Sequence, residues 1–365
     1  MEALLPAGLV ERLARASDPG ARWVVLTGVE GRAASDPEVA AVHAEVVGHP
    51  DTVDLVGRLH PWTEWHPVGG HDKPDYLPNL LVLLADRGVG AADVPQIGEL
   101  HLAMLAHQDE AGRFLYLGRA PGGAAPVWLS LPCDHHLITE VLLRSGYAAE
   151  PAVQRAVALM AARLGPTSQG PAWQCLPDPV VGFRGPGRRS DACPQVTLEA
   201  LRAFSHLPAD QRPPELAAAL HTALEFWRRR GHERPYMFGH GVAFKRGKWP
   251  LVWYSAYEVV DVLGRFPQLW AGPAADPDDR QALAEVAACL LAYSFDAGGH
   301  LVPQSVYRGF EQHSFGQKKA PSDLAAALVA AAITRLEPLG EDILAVDVAA
   351  LGSSVGGTGT PVPPR

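Results

Sequence analysis

Five apolar helical segments, each with a proline at or near its start, limit the folds open to this chain more than any other feature. Proline is favoured in the first turn of a helix because its missing N–H would have no intrahelical partner there. The spacings between consecutive prolines are 58, 62, 56 and 71 residues, and the prolines are Pro74, Pro132, Pro194, Pro250 and Pro321. A repeat at about sixty residues indicates supersecondary units that are stacked in an array or closed into a ring.

A second helical segment lies between each pair of proline-led segments, so the repeat unit is helix–loop–helix. The proline-led segments are apolar around most of their circumference, which is typical of buried inner helices, whereas the others are polar on one face. The sequence therefore predicts an all-α fold, an α/α toroid (barrel) of inner and outer helices; an open solenoid is the alternative. We expect an N-terminal helical cap over 1–60, the toroid over 61–340 and a C-terminal extension over 341–365 with a partly disordered tail.

The composition excludes several classes of protein. Hydrophobic residues make up 47% of the 365 residues and charged residues 19%, so the chain can bury a large core. The net charge of −9 argues against a nucleic-acid binder, which normally presents a basic face. No uncharged apolar run reaches the ~18 residues of a membrane span, and four scattered cysteines do not suggest a disulfide framework. Because the N-terminal segment is typical of an amphipathic helix and not of a signal peptide, we expect a cytoplasmic protein.

If the inner helices run parallel around a ring, their N-termini meet at one mouth of a central cavity. Helix N-termini carry positive potential and unpaired N–H groups, so this mouth favours an anionic group. The apolar residues deeper in the helices favour a hydrophobic substrate. Candidate acid/base residues at the helix starts are Asp72, Asp134, His135 and Asp191, and candidate substrate-binding residues are His71, Asp75, Arg188, Arg189, Trp249, Trp253, Tyr254 and Lys319.

Several of these candidates also have a structural interpretation. Asp134 suits the cap of the helix that Pro132 opens, which leaves His135 as a buried polar residue. Trp249 and Trp253 are four residues apart and would form one stripe on a helix. That stripe belongs either to the core or to an aromatic cavity wall that stabilises a carbocation.

The segment GRRSDACPQVTLEALRAF, residues 187–204, places Asp191 and Cys193 directly before the helix that Pro194 opens. Ordinary capping accounts for an aspartate and a proline at a helix start. The alternative is a site, because Asp-x-Cys presents two metal ligands and the adjacent Arg188 and Arg189 are able to hold an anion.

Two motifs resemble those of a known superfamily. HQDEAGRFLY, residues 107–116, resembles the Q-x3-G-x-aromatic repeat motif of the α/α-toroid superfamily of terpenoid cyclases and protein prenyltransferases, with Gln108, Gly112 and Phe114 at the motif positions. GFRGPGRRSDACPQ, residues 182–195, is similar to the zinc-ligand region of protein prenyltransferase β subunits. The chain from about residue 35 to about residue 336 also resembles bacterial toroid proteins of undefined activity.

The resemblance implies that Asp191 and Cys193 are zinc ligands and that Arg188 lies near a diphosphate-binding base. The third ligand of the family is a histidine at the start of a later inner helix. Here Pro321-Ser322-Asp323 stands at that place, and His313 or His240 is the candidate substitute.

We therefore expect an enzyme of terpenoid cyclase or prenyltransferase type that acts on a hydrophobic, isoprenoid-like or other natural-product substrate in a central cavity. Acid/base or anion-binding groups at the inner-helix N-termini would carry the chemistry, and no cofactor would be required. One alternative is a zinc-dependent transferase with Asp191, Cys193 and His313 as ligands. The other is a non-catalytic toroid that binds a lipid-like molecule.

Overall fold

The computed structural model describes residues 4–119, 122–123, 125–273, 275–318 and 320–352. This part of the chain is mainly helical, in agreement with the predicted all-α class, and its strands are short. The closure of the helices into a toroid stays a prediction. Lys319, a predicted substrate-binding residue, and residues 353–365 of the predicted tail lie outside the described residues.

The described helices follow one another from the N-terminus with few strands between them. The α-helices are α1 (Leu9–Leu13), α2 (Pro19–Val24), α3 (Pro37–Val47), α4 (Pro50–Gly57), α5 (Leu77–Asp86), α6 (Pro95–Ala106), α7 (Pro132–Arg144), α8 (Pro151–Ala162), α9 (Pro194–Ser205), α10 (Leu216–Arg228), α11 (Gly241–Arg246), α12 (Ala256–Leu263), α13 (Pro277–Ser294), α14 (Asp323–Thr334), α15 (Gly340–Ala345) and α16 (Val348–Gly352). The strands are β1 (His66–Pro67), β2 (Tyr116–Arg119), β3 (Val127–Leu129), β4 (Gly165–Thr167) and β5 (Gly170–Ala172). None of these described helices is both long enough and apolar enough to cross a membrane.

The described residues form two compact units. The first contains the N-terminal segment through Asp54, the short segment Asp86–Gly88 and the chain from Trp227 onwards. The second contains Leu55–Ala85 and Val89–Phe226. The predicted domain boundaries at residues 60 and 340 stay predictions.

Two of the five proline-led segments begin their helix at the proline itself, as predicted. Pro132 and Pro194 occupy the first turn of α7 and α9, and in α9 the residue at the N-cap is Cys193. The other three helices, α5, α12 and α14, begin a few residues after their prolines. The proline signal therefore located the helices correctly, but it fixed the first residue in two cases only.

The start of α12 corrects one prediction. Ser255 is the N-cap of α12, and its hydroxyl accepts a hydrogen bond from the Glu258 N–H, so the helix begins at Ala256. Trp249 and Trp253 precede this helix. The predicted helical stripe of the two tryptophans is therefore wrong, because the serine cap fixes the helix start behind them.

In the second unit, α7 packs along α9, and the side chains of α7 from Pro132 to Leu143 are buried. The contact contains polar side chains that pair with each other. Arg202 Nε donates to Glu140 Oε2 at 2.7 Å, and Glu140 is fully buried. Such a pair is stabilising only while both partners are present, because either charge alone would be buried without compensation.

A small sheet precedes α7 in the second unit. β2 pairs in parallel with β1 and antiparallel with β3, which sets Tyr116 opposite Leu129. The Q-x3-G-x-aromatic segment forms the turn that leads into β2. The side-chain amide of Gln108 donates to the backbone oxygens of Gly112 at 3.0 Å and Ala152 at 2.7 Å. The glutamine therefore ties this turn to the start of α8.

In the first unit, α14 packs against α2 and against the π-helical turn Val25–Val29 that follows it. A Cβ atom on Gly28 would lie 2.9 Å from the Cβ of Ala331, so the two backbones approach closely. The alanine-rich sequence of α14 permits this approach because small side chains occupy the contact.

Candidate functional site

Five side chains of the second unit meet at the start of α7, and we name this group the Asp134 cluster. Cys133 and Asp134 belong to the first turn of α7, His71 to a 3-10 turn over Gly70–Asp72, and Tyr116 to β2, while Tyr76 directly precedes α5. His71 Nδ1 lies 3.3 Å from Cys133 Sγ and 3.9 Å from Asp134 Oδ1. The two tyrosine rings stand edge to face with centroids 5.8 Å apart, and both hydroxyl groups lie beside the Asp134 carboxyl group.

Local contacts hold the His71 turn in place. The side-chain amide of Asn79 donates to the backbone oxygens of His71 and Lys73, both at 2.8 Å. Gly69 precedes the turn with a φ of 79°, a value that favours glycine. A Cβ atom on Gly69 would lie 2.9 Å from the Phe183 ring, so the turn and this ring are in close contact.

The Asp134 carboxyl group is buried, and it has no cationic partner among the described residues. Its side chain is 1% exposed. Burial, with a further contribution from the Asp178 carboxylate, raises the pKa of Asp134 from 3.8 to about 7. The Leu131 N–H, which donates to Asp134 at 3.2 Å, and the Tyr76 and Tyr116 hydroxyls oppose this rise. Near neutral pH a large fraction of Asp134 therefore retains a proton that it is able to donate.

The other titratable groups of the cluster are neutral as well. Burial lowers the pKa of His71 to about 4, so its imidazole carries no charge at neutral pH. Burial and the neighbouring Asp134 raise the pKa of the Cys133 thiol well above its ordinary value. The His71 side chain is 14% exposed, whereas Cys133 is 2% exposed, so His71 joins the buried members of the cluster to solvent.

The hydroxyl groups of Tyr76 and Tyr116 are buried beside the Asp134 carboxyl group and hydrogen-bond with it. The two residues are 3% and 1% exposed. Burial raises the pKa of both phenols, so each hydroxyl keeps its hydrogen. These two hydroxyls therefore give the buried Asp134 carboxyl group uncharged hydrogen-bond partners.

A second buried carboxylate, Asp178, shapes the loop next to the cluster. Its Oδ1 accepts hydrogen bonds from the N–H groups of Val180 at 2.8 Å and Val181 at 3.0 Å. Its Oδ2 accepts one from the Ser130 N–H at 3.2 Å and lies 3.6 Å from Arg113 Nη1. Asp178 therefore has a cation beside its carboxylate, whereas Asp134 has none among the described residues.

Three other acid/base and binding candidates from the sequence lie outside the Asp134 cluster. The Nδ1 atom of His135 faces the Phe114 N–H at 3.2 Å, and burial lowers the pKa of this histidine well below its ordinary value. Asp72 pairs with Lys73 at 2.7 Å, and Asp75 pairs with Arg58 at 2.9 Å. These aspartates are partly or largely exposed, so they belong to the surface near the His71 turn.

The Asp191 and Cys193 pair forms the entrance of α9. Asp191 Oδ1 lies 3.5 Å from the side-chain amide of Gln169, and the Cys193 N–H donates to the backbone oxygen of Trp173 at 2.9 Å. Burial raises the pKa of the Cys193 thiol. The predicted anion clamp, Arg188 and Arg189, is exposed.

The remaining predicted residues belong to the first unit. Trp249 is buried and stacks on Phe315 with ring centroids 6.0 Å apart, while the Trp253 and Tyr254 rings are 5.1 Å apart. His313, the predicted third zinc ligand, has its Nε2 atom 2.8 Å from Asp54 Oδ2. Its ring is therefore already engaged by a carboxylate of its own unit.

Sequence reasoning missed Tyr76, Tyr116 and Asp178 as parts of the site. Tyr76 lies close to the predicted His71 and Asp75, and this proximity was the available signal. Tyr116 and Asp178 gave none, because each reaches the cluster through a strand or a loop whose position depends on long-range contacts.

One group of residues fits a metal ion better than the predicted set. The ligand atoms of His71, Cys133 and Asp134 all lie within 4.8 Å of one another. Imidazole nitrogen, thiolate sulfur and carboxylate oxygen are the ligands that zinc binds in proteins.

In comparisons with known proteins, no family model, curated protein or solved structure matches the chain.

Proposed function

We propose that the chain is an enzyme that acts on a hydrophobic, isoprenoid-like small molecule and uses the Asp134 carboxyl group for acid/base chemistry. The toroidal arrangement of inner and outer helices and the relation to terpenoid cyclases and protein prenyltransferases are part of the same proposal. Both rest on the proline-led repeat and on the motifs around Gln108 and Asp191. The observation that carries the proposal is the burial of Asp134 at a helix start, where no cation of the described residues lies close enough to hold its charge.

The surroundings of Asp134 suit a proton donor. At neutral pH the group is poised between its two forms, which is the condition for efficient general-acid catalysis. Once the proton has left, the Leu131 N–H and the positive end of α7 stabilise the carboxylate. His71 is neutral and is the member of the cluster with access to water, so it is suited to return a proton to Asp134.

The test compares cells that produce the wild type with cells that produce Asp134→Asn, by untargeted mass spectrometry of their apolar extracts. A compound that depends on the wild type identifies the product without prior choice of a substrate. The purified protein is then assayed on the matching substrate in D2O, and a deuterium atom in the product reports protonation by the enzyme. We expect Asp134→Asn to lower the rate by about 10²–10⁴-fold, the usual contribution of a general acid.

The control is Asp75→Asn, because Asp75 is 62% exposed and lies on the surface near the same turn. We expect this variant to form the product at the wild-type rate. Full activity of Asp134→Asn, or a product that carries no deuterium from D2O, contradicts the proposal.

A second candidate is a metal-dependent transferase, and the short distances among His71, Cys133 and Asp134 favour it. A zinc ion at these ligands would act as a Lewis acid, and Asp134 would then be an ionised ligand that has no proton to donate. Elemental analysis of the purified protein separates the two candidates. Stoichiometric zinc that is lost in Cys133→Ser supports the transferase, whereas metal-free active protein excludes it.

A further inference from the structure

A pocket in the first unit lies at the end of α11 and opens to solvent. Its walls come from α11, α12, α13 and α14 and from the segment 301–304. The volume is about 320 Å³ with the open mouth included, so the pocket has room for a small molecule only. Most of the described residues that line it are apolar, among them Trp249, Leu290 and Val329, and none of them is acidic.

The cation of this pocket is Arg246, the last residue of α11. Its side chain is partly buried, and its Nε atom is buried without a hydrogen-bond partner among the described residues. No carboxylate of the described residues forms an ion pair with its guanidinium group. An anion that enters the pocket would therefore supply both the missing acceptor and the missing negative charge.

Lys245 adds a second positive charge next to the pocket. The residue is 6% exposed, and its Nζ atom donates to the hydroxyl oxygen of Tyr293 at 3.1 Å. The same atom lies 4.5 Å from the centre of the Tyr293 ring. Because the Tyr293 oxygen accepts this hydrogen bond, the hydroxyl is able to donate its own hydrogen to a molecule in the pocket, which Tyr293 lines.

We propose that this pocket binds a small apolar carboxylate. The carboxylate group accepts hydrogen bonds from Arg246 and Tyr293, and the hydrocarbon part contacts the apolar wall that includes Trp249 and Leu290. The pocket belongs to the first unit and the Asp134 cluster to the second, so this proposal does not depend on the proposed function.

Other small molecules fit the pocket less well. An alcohol or a hydrocarbon leaves the guanidinium group without an anion. Inorganic phosphate supplies charge but offers no hydrocarbon part to the apolar wall. A carboxylate carries one negative charge on two oxygens, which matches the donor geometry of a single arginine, and its chain removes apolar surface from water.

Binding of hexanoate tests the proposal, and acetate, hexan-1-ol and inorganic phosphate are the comparison ligands. Affinities are measured by NMR titration observed on the ligand, or on phosphorus for phosphate. We expect hexanoate to bind more tightly than all three. Arg246→Met should weaken hexanoate binding about 10- to 100-fold, the usual effect of losing a hydrogen bond to a charged group, and Arg246→Lys should keep part of the affinity.

Lys248→Met is the matched control, because it removes one positive charge from the same basic segment outside the pocket. Lys248 is exposed and lies 4.0 Å from the centre of the Tyr307 ring. This variant should bind hexanoate with the affinity of the wild type. Ligand-free Arg246→Met should keep the melting temperature of the wild type, since its side chain has no bond to lose among the described residues.

Four results overturn the proposal. They are no binding of hexanoate by the wild type, equal affinity for hexanoate and hexan-1-ol, tighter binding of phosphate than of hexanoate, and equal losses of affinity in Arg246→Met and Lys248→Met. A melting temperature of ligand-free Arg246→Met well below that of the wild type overturns it as well, because Arg246 would then already be paired within the protein.

Discussion

Replacement of Asp134 by asparagine should change the pH dependence of stability in a way that isolates this one carboxyl group. Asparagine has nearly the same shape as the protonated acid but does not titrate. In the folded protein the pKa of Asp134 is raised to about 7, while the unfolded chain has the ordinary value of 3.8. The difference of about three pKa units corresponds to about 4 kcal/mol, at 1.36 kcal/mol per unit.

The direction in which the free energy of unfolding changes with pH follows from the number of protons that the folded and the unfolded state bind. Below pH 3.8 both states hold the proton, and the group contributes its full stability to the folded wild type. Between pH 3.8 and about 7 the unfolded chain releases the proton but the folded protein retains it, so the free energy of unfolding falls as pH rises. Above pH 7 both states are ionised and the contribution of Asp134 no longer changes.

The measurement is urea denaturation of the wild type and of Asp134→Asn at a series of pH values from 4 to 9, with a chelator present. Contributions of all other groups cancel in the difference between the two proteins. We expect the wild type to lose about 4 kcal/mol relative to the variant across this range. The exposed Asp75→Asn serves as the control for the loss of a surface carboxylate.

A difference that stays constant with pH would refute the view that Asp134 is a buried acid without a cation. A wild type that gains stability as pH rises would refute it as well, because that result requires a cation at the carboxylate. If added zinc produces this reversal, the metal-dependent candidate is favoured instead.

Three further predictions concern residues of the second unit that lie outside the Asp134 cluster. Arg202→Met should lower the free energy of unfolding by about 3–5 kcal/mol in urea titrations, since it removes the cation that donates to the buried Glu140, and a double variant with Glu140→Gln should recover part of this loss. Gly118→Ala should lower the melting temperature, because its Cβ would lie 2.8 Å from the Tyr116 ring. Gln108→Ala should cost about 1–3 kcal/mol in the same titrations, because two backbone oxygens lose their donor.

The structure agrees with the sequence where one residue and its near neighbours decide the outcome. Pro132 and Pro194 begin helices because their rings already have a helical φ and lack only an N–H that the first turn does not use. Asp134 was expected to cap α7, and it does accept a bond from the Leu131 N–H. His71 and Asp134 were both candidate site residues, and they lie 3.9 Å apart.

The composition of the Asp134 cluster depends on contacts between segments that are distant in the sequence, and no local sequence pattern predicts these contacts. Tyr116 reaches Asp134 because β2 pairs with β1 and β3, and only in that packed environment does its hydroxyl lie beside the carboxyl group. His135 follows Asp134 directly, yet its ring turns toward Phe114, because successive helical residues face different sides. Local chemistry thus determined where the helices begin and which residues stand there. Tertiary packing decided which of those side chains are buried next to each other. Burial raises the pKa of Asp134, so that a helix-capping aspartate retains its proton near neutral pH.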